Sequence, residues 1–178
     1  MLMLKELPKY ECLLEKAQRY PDLDPSACEA FLHLMRVSGD LDEAFGDYFD
    51  AHGISQGRFI VLMLLNRRPE HPANPADIAA RSGVTRATMT GLIDVLERDG
   101  LVKREPSAED RRMMMVRLTE KGIKFLDAVL PEHYRLISAV MHGLTPVERR
   151  TLVSLVDKIQ QTLPAARVTA QTKPAASA

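Results

Sequence analysis

Two clusters in this 178-residue chain have residue types and spacings suited to binding chemistry. The first is Thr85-Arg86-Ala87-Thr88, followed by Thr90 and Gly91. Arginine can donate two parallel hydrogen bonds to the edge of guanine. Threonine offers a hydroxyl and a methyl group that can meet the methyl of thymine. The second cluster is Glu109-Asp110-Arg111-Arg112. A narrow minor groove concentrates negative potential and draws in arginine. A carboxylate such as Asp110 can orient a neighbouring arginine through a charge-assisted bond. Taken alone, the second cluster reads equally as a solvated turn with incidental charge. Gly91 also reads two ways, because glycine inside a helix costs about 1 kcal/mol against alanine. It is either an incidental small residue or a place where a nucleic-acid backbone comes close.

The elements that carry these clusters follow from the caps. Asn74-Pro75-Ala76-Asp77 combines an Asn cap, Pro at the first helical position and an acid three residues after the cap. It predicts a helix of about two turns, Pro75 to Ser82. Gly83 supplies the positive φ of a tight turn, and Val84 is its apolar member. Thr85 caps the next helix, which runs to about Asp99 and ends at Gly100. On it Met89, Leu92, Ile93 and Leu96 share an inward face. The first cluster falls on the other side or at the helix start. Leu101-Val102-Lys103-Arg104 and Met113 to Leu118 read as two strands around a polar turn, which holds the second cluster. Two helices across a tight glycine turn, then a charged hairpin, make a winged helix-turn-helix whose second helix enters the major groove. The implied partner is double-stranded DNA.

Helices flank this reader. Leu7 to Tyr20 reads as a short amphipathic helix ended by Pro21 to Pro25. Ser26 is read as the cap of a long helix with apolar residues from Phe31 to Phe49, which Gly53 ends. Ser55 or Gln56 starts a third helix that is apolar nearly all round and expected to be the most buried. His71 to Ala73 is a connector with room for one bridge of sheet. Thr119 caps a long helix with an expected kink or break at Pro131. Leu144-Thr145-Pro146-Val147-Glu148 is a capping box, opening a last helix to about Leu163. From Pro164 the chain reads as a disordered Ala/Pro/Thr/Gln-rich tail.

Residues 1–55 hold 5 Lys/Arg against 11 Asp/Glu, and residues 56–178 hold 19 against 13, so the net charge of zero hides a basic reader half. No apolar run approaches the ~20 residues of a membrane span, and no secretory signal is legible, so a cytoplasmic protein is expected. Cys12 and Cys28 make no disulfide framework. His33, His52, His71, His133 and His142 lack metal-ligand spacing, and no nucleophile–base pair or phosphate loop is present. No enzyme activity, metal or cofactor is expected.

The stretches Asp77 to Thr85 and Leu92 to Val102, the run Asp110-Arg111-Arg112 and the exit Val116-Arg117-Leu118-Thr119-Glu120-Lys121-Gly122 resemble the MarR family of bacterial regulators. The resemblance implies a homodimer with interlocked terminal helices and a near-palindromic operator. It also implies release, as from a repressor, by a small, often aromatic effector. It makes Arg112 the minor-groove arginine and Asp110 its positioner. Gly91 departs from the family, which often has a larger polar or basic residue there. The expected fold class is mainly α with a small β-wing: a winged helix-turn-helix flanked by N- and C-terminal dimerisation helices. Residues 1–25 form an N-terminal extension helix, 26–56 a dimerisation helix, 57–122 the DNA-binding domain, 123–163 the C-terminal dimerisation helices and 164–178 the tail. The apolar faces of the long helices independently call for a partner.

The DNA-binding set is therefore Thr85, Arg86, Ala87, Thr88, Thr90, Gly91, Asp110, Arg111 and Arg112. Phe49, His52 and Arg58 are candidate effector contacts, although Arg58 reads first as an ion-pair residue. Cys28 reads as a half-buried helix residue, with a thiol-based redox sensor as the alternative. A protein-interaction module without DNA binding is the other alternative; it would have lost the basic wing. Met113-Met114-Met115 reads as alternating strand positions before it reads as a pocket lining.

Overall fold

Side-chain caps explain where most helices begin. The computed structural model describes residues 6–107, 110 and 112–171. Its elements run α1 (Tyr10–Arg19), α2 (Pro25–Ala51), α3 (Gln56–Asn66), α4 (Pro75–Ser82), α5 (Arg86–Arg98), β1 (Val102–Pro106), β2 (Met114–Leu118), α6 (Glu120–Val140) and α7 (Pro146–Gln171). The cap of α2 is Asp24, not Ser26: its carboxylate accepts from the Ser26 and Ala27 amides at 2.9 and 3.1 Å. Pro25 occupies the first turn, where its missing N–H costs nothing. The hydrogen bonds from Ser26 and Ala27 also hold the Asp24 carboxyl below the usual carboxylate range. Ser55 caps α3, Asn74 caps α4 and Thr85 caps α5, each through its side-chain oxygen.

The chain divides into two units, one ending at Val129 and the other starting at Leu130. In the first, the core forms where α3, α5 and β2 meet. Val61, Leu62, Ile93, Leu96 and Val116 are all fully buried there. The nearly all-apolar α3 needs cover on several sides, and it lies against α2, α4, α5 and β2. An aromatic cluster joins the end of α2 to α3, with Phe49 lying 5.0 Å from Phe59 and 5.3 Å from Tyr48 between ring centroids. The Tyr48 hydroxyl donates to the Val129 carbonyl of α6 at 2.9 Å. β1 and β2 pair antiparallel, Val102 opposite Leu118 and Pro106 opposite Met114. One bridge, Ala73 with Val116, adds the connector before α4 to this sheet.

In the second unit, the capping box at the start of α7 forms as the sequence requires. The Thr145 amide donates to the Glu148 carboxylate at 2.7 Å, and the Glu148 amide returns to the Thr145 hydroxyl at 3.3 Å. The bonds that the Thr145 amide and then its hydroxyl give to the Glu148 carboxyl draw that group below its ordinary range. The Arg149 guanidinium donates to the Met141 carbonyl at 2.7 Å and so braces the preceding turn.

Both interior prolines lie inside helices. α6 does not break at Pro131, and α7 does not end at Leu163 but continues through Pro164 to Gln171. Proline removes one helical N–H and crowds the carbonyl four residues back, a local cost that the turns on either side override in both helices. Residues 172–178 of the expected tail lie outside the described residues.

Candidate nucleic-acid interface

The reader is built from local signals. α4 ends at Gly83, whose φ of 67° is left-handed and lets the chain turn within one residue. Val84 and Thr85 complete the turn, and the Thr85 hydroxyl accepts from the Thr88 amide at 3.1 Å. Met89, Ile93 and Leu96 are buried, which fixes the rotation of α5 about its axis. Thr85, Arg86, Ala87, Thr88, Thr90 and Gly91 are consequently all exposed and form one continuous face.

The hydroxyls on this face are already partly engaged. Those of Thr85 and Thr88 share a hydrogen bond of 2.9 Å. The Thr90 hydroxyl donates to the Arg86 carbonyl at 3.0 Å. With its proton committed, Thr90 offers an incoming ligand a lone pair and a methyl group. Arg86 has no ion-pair partner among the described residues.

A Cβ built at Gly91 meets nothing within 4 Å, so internal packing does not explain the glycine. Gly91→Ala should therefore stabilise the free protein by about 1 kcal/mol through helix propensity. Thermal denaturation checks that half. Binding to operator DNA checks the other: a loss of affinity in this stabilised variant marks close approach of the backbone, and unchanged affinity marks an incidental glycine.

At the wing tip the Ser107 amide donates to the Met113 carbonyl at 2.8 Å, and the Met113 amide to the Asp110 carbonyl at 2.9 Å. The Asp110 carboxylate accepts from the backbone amide of Arg112 at 2.9 Å. Asp110 thus shapes the turn that presents Arg112 by holding the main chain of that residue. Arg112 is exposed and has no ion pair among the described residues. Arg111 lies outside the described residues.

Arg104 of β1 joins wing and helix. Its guanidinium donates to Glu97 and to Asp94, both at 2.6 Å, and its amide donates to Glu97 at 2.9 Å. Partial burial pulls this guanidinium down, but the bonds from Asp94 and Glu97 outweigh it and hold it above its ordinary value. Exposed pairs contribute only about 0.2–1 kcal/mol each, so the main effect is on geometry and sign. The wing is tied to α5, and the charge of two carboxylates near the exposed face is offset in part. Sequence reading missed Arg104. The available signal was Asp94 and Glu97, three apart on one helix face, with an arginine on the strand that returns along that helix.

The exit from the wing is held as firmly. The Thr119 hydroxyl donates to the Gly100 carbonyl at 2.7 Å and accepts from the Gly122 amide at 3.0 Å. Lys121 donates to the Asp99 carbonyl at 2.7 Å. Gly100 takes a φ of 73°, so the chain leaves α5 sharply. The Leu-Thr-x-x-Gly pattern is therefore a clamp between the end of α5 and the start of α6.

Each effector candidate makes contacts within the fold. Phe49 is buried in the aromatic cluster. His52 caps α2, its Nδ1 2.8 Å from the Tyr48 carbonyl. Arg58 pairs with Asp99 at 3.3 Å, the structural role read first for it. None of the three lines the two clefts beside the reader. One, of about 260 Å³, lies among Pro75, Arg86, Thr90, Met113 and Met114. The other, of about 450 Å³, includes Met115. Met114 and Met115 are successive positions of β2, whereas Met113, expected in the same strand, lies just before it; all three line clefts. Cys28 is half-buried in the first turn of α2.

A two-turn helix, a left-handed glycine turn, a second helix with an exposed start and a braced hairpin define a winged helix-turn-helix. The model of the MarR family matches residues 52–113. The chain is 39% identical over 160 residues to the HTH-type transcriptional repressor YetL of Bacillus subtilis, covering 90% of this chain and 96% of that one. It is 28% identical over 161 residues to the transcriptional repressor MprA of Escherichia coli, covering 86% and 92%. The chain belongs to the MarR family of transcriptional regulators. Among solved structures it is similar in fold to S. aureus MepR in a DNA complex, with a TM-score of 0.67 at 20% identity over 74% of this chain and 94% of that one. It is also similar to CouR of Rhodococcus jostii RHA1 bound to p-coumaroyl-CoA, with a TM-score of 0.63 at 25% identity over 75% and 90%.

Proposed function

We propose that this protein is a cytoplasmic homodimeric repressor that reads a near-palindromic operator and is released from it by a small organic effector. One observation carries the reading: the start of α5 and the wing tip each present an exposed arginine, Arg86 and Arg112, with no ion pair among the described residues. The nearest acids on α5, Asp94 and Glu97, are both engaged by Arg104. In this reading Thr85, Arg86, Thr88 and Thr90 meet the major groove and Arg112 enters the minor groove.

Dimerisation is supported by uncovered apolar surface. Val147, Val153, Leu155 and Leu163 of α7 are 62, 60, 50 and 47% exposed, and α7 has no buried residue among those described. An amphipathic helix this long that buries nothing in its own chain needs a partner, and a second copy is the simplest one. Repression is supported by the names of YetL and MprA, and effector control by the bound ligand of CouR.

Sedimentation equilibrium combined with salt-titrated gel shifts tests the reading. The free protein should show twice its chain mass of 19.9 kDa. Binding to the promoter region of its own gene should fall about a thousandfold between 50 and 200 mM salt if six or more phosphates are contacted. A monomer, or binding indifferent to salt, would sink the proposal.

A further inference from the structure

We infer that the cleft of about 450 Å³ between the end of α3 and the flank of α4 is a binding site for a small organic anion, one with an apolar body and a carboxylate head. Its volume lies within the ~300–1,000 Å³ of small-molecule sites. The assignment deepens the effector-controlled reading above and rests on it only for its consequence, release from DNA.

The lining supplies both halves of such a ligand's chemistry. Leu65 and Ile78, 3 and 2% exposed, form an apolar floor, with Leu64 and Met115 beside them. Arg67, Arg68 and Arg81 stand at the rim, all exposed. None of the three is in an ion pair among the described residues, and Asp77 is the one acid among the described lining residues. Guanidinium groups bind carboxylates with paired hydrogen bonds and stack on flat apolar groups. Three uncompensated guanidiniums over an apolar floor suit an amphipathic anion better than a neutral apolar molecule or a bare phosphate. DNA phosphate is the competing use of these arginines, but it needs no apolar floor.

The site also touches the parts that set the reader's geometry. Asn74, a lining residue, caps α4 by accepting from the Ala76 amide at 2.8 Å. Ala73, another, exchanges both bridge hydrogen bonds with Val116 of β2, at 2.8 and 2.9 Å. A ligand seated here bears on the start of the first reader helix and on the root of the wing together. An effector acts only through a difference in affinity between two arrangements of such a joint.

The experiment is calorimetric titration of the full-length free protein with 2-naphthoate, with naphthalene-2-carboxamide and inorganic phosphate as probes of the body alone and the head alone. The expected result is saturable binding of naphthoate, with both other probes at least tenfold weaker. The exposed triple variant Arg67→Gln/Arg68→Gln/Arg81→Gln should keep the wild-type melting temperature and lose at least tenfold in naphthoate affinity. Asp77→Asn, which removes the one like charge, should bind several-fold more tightly, a gain that misfolding cannot mimic. Equal affinity for acid and amide, or an unchanged triple variant, overturns the site. A triple variant that loses DNA affinity in a protein that never binds naphthoate also overturns it and assigns the arginines to DNA phosphates. Because the titration contains no DNA, a protein that binds naphthoate but no promoter keeps this site and refutes the repressor reading instead.

Discussion

Gly122→Ala is expected to destabilise the protein by about 3 kcal/mol, the upper part of the overpacking range, and to lower its melting temperature by roughly 6–12 °C. Helix propensity alone gives the opposite sign, since alanine in the first turn of α6 should gain about 1 kcal/mol over glycine. Packing decides it. A Cβ at Gly122 would overlap the Leu101 carbonyl oxygen and lie 3.1 Å from the Leu101 carbonyl carbon and 3.3 Å from Leu118 Cδ2. The obstructing atoms are main chain, so no rotamer change relieves the overlap. α6 would have to lift away, which would stretch the Thr119 cap and the Lys121 contact to Asp99. Gly91→Ala is the control, because it makes the same change in open space. Denaturant or thermal unfolding of both variants should show opposite shifts. A Gly122→Ala protein as stable as wild type would refute the clamp. Stability in total is only about 5–15 kcal/mol, so a loss of that size is a large fraction of it.

Arg112→Ala and Arg86→Ala are expected to weaken DNA binding in different ways. Arg112 at the wing tip would enter the minor groove and respond to its width and potential. Its loss should lower affinity about tenfold or more for every sequence that presents a narrow groove, and shrink the salt slope by about one. Arg86 stands at the start of α5, where helix N-terminal residues reach base edges. Its loss should cost about 1–3 kcal/mol on the operator and much less on random DNA, so the specificity ratio falls. Competition gel shifts with operator and scrambled duplexes separate the two outcomes. Equal losses on both duplexes for both variants would reject the division of labour.

Much of the reader was legible because its signals are local. Asn74-Pro75, Gly83, Thr85 and Gly100 set helix ends by the chemistry of one or two residues, and the structure places those ends where the caps put them. The cap of α2 needed one more step. Asp24 and Ser26 are both good capping residues, and Pro25 between them decides for Asp24 by its own preference for the first helical position. Pro131 and Pro164 misled because proline penalties are local and the surrounding helical preference outweighed them. What lay beyond sequence reading depends on distant residues meeting. Arg104 reaches across to Asp94 and Glu97, Gly122 lies against Leu101, and the cleft takes its walls from α3, α4 and β2. Spacing along one element cannot announce such meetings.

The bracing of the wing has an evolutionary consequence. Its root is fastened by the Arg104 bonds, the Thr119 clamp and the Ala73 bridge, whereas the described bonds at its tip come from the turn itself. Mutations at the tip cost the scaffold little, since exposed hairpin turns tolerate change and insertion. A lineage can therefore change or lengthen the tip while α5 keeps its place. Selection for stability and selection for recognition fall on opposite ends of one short hairpin.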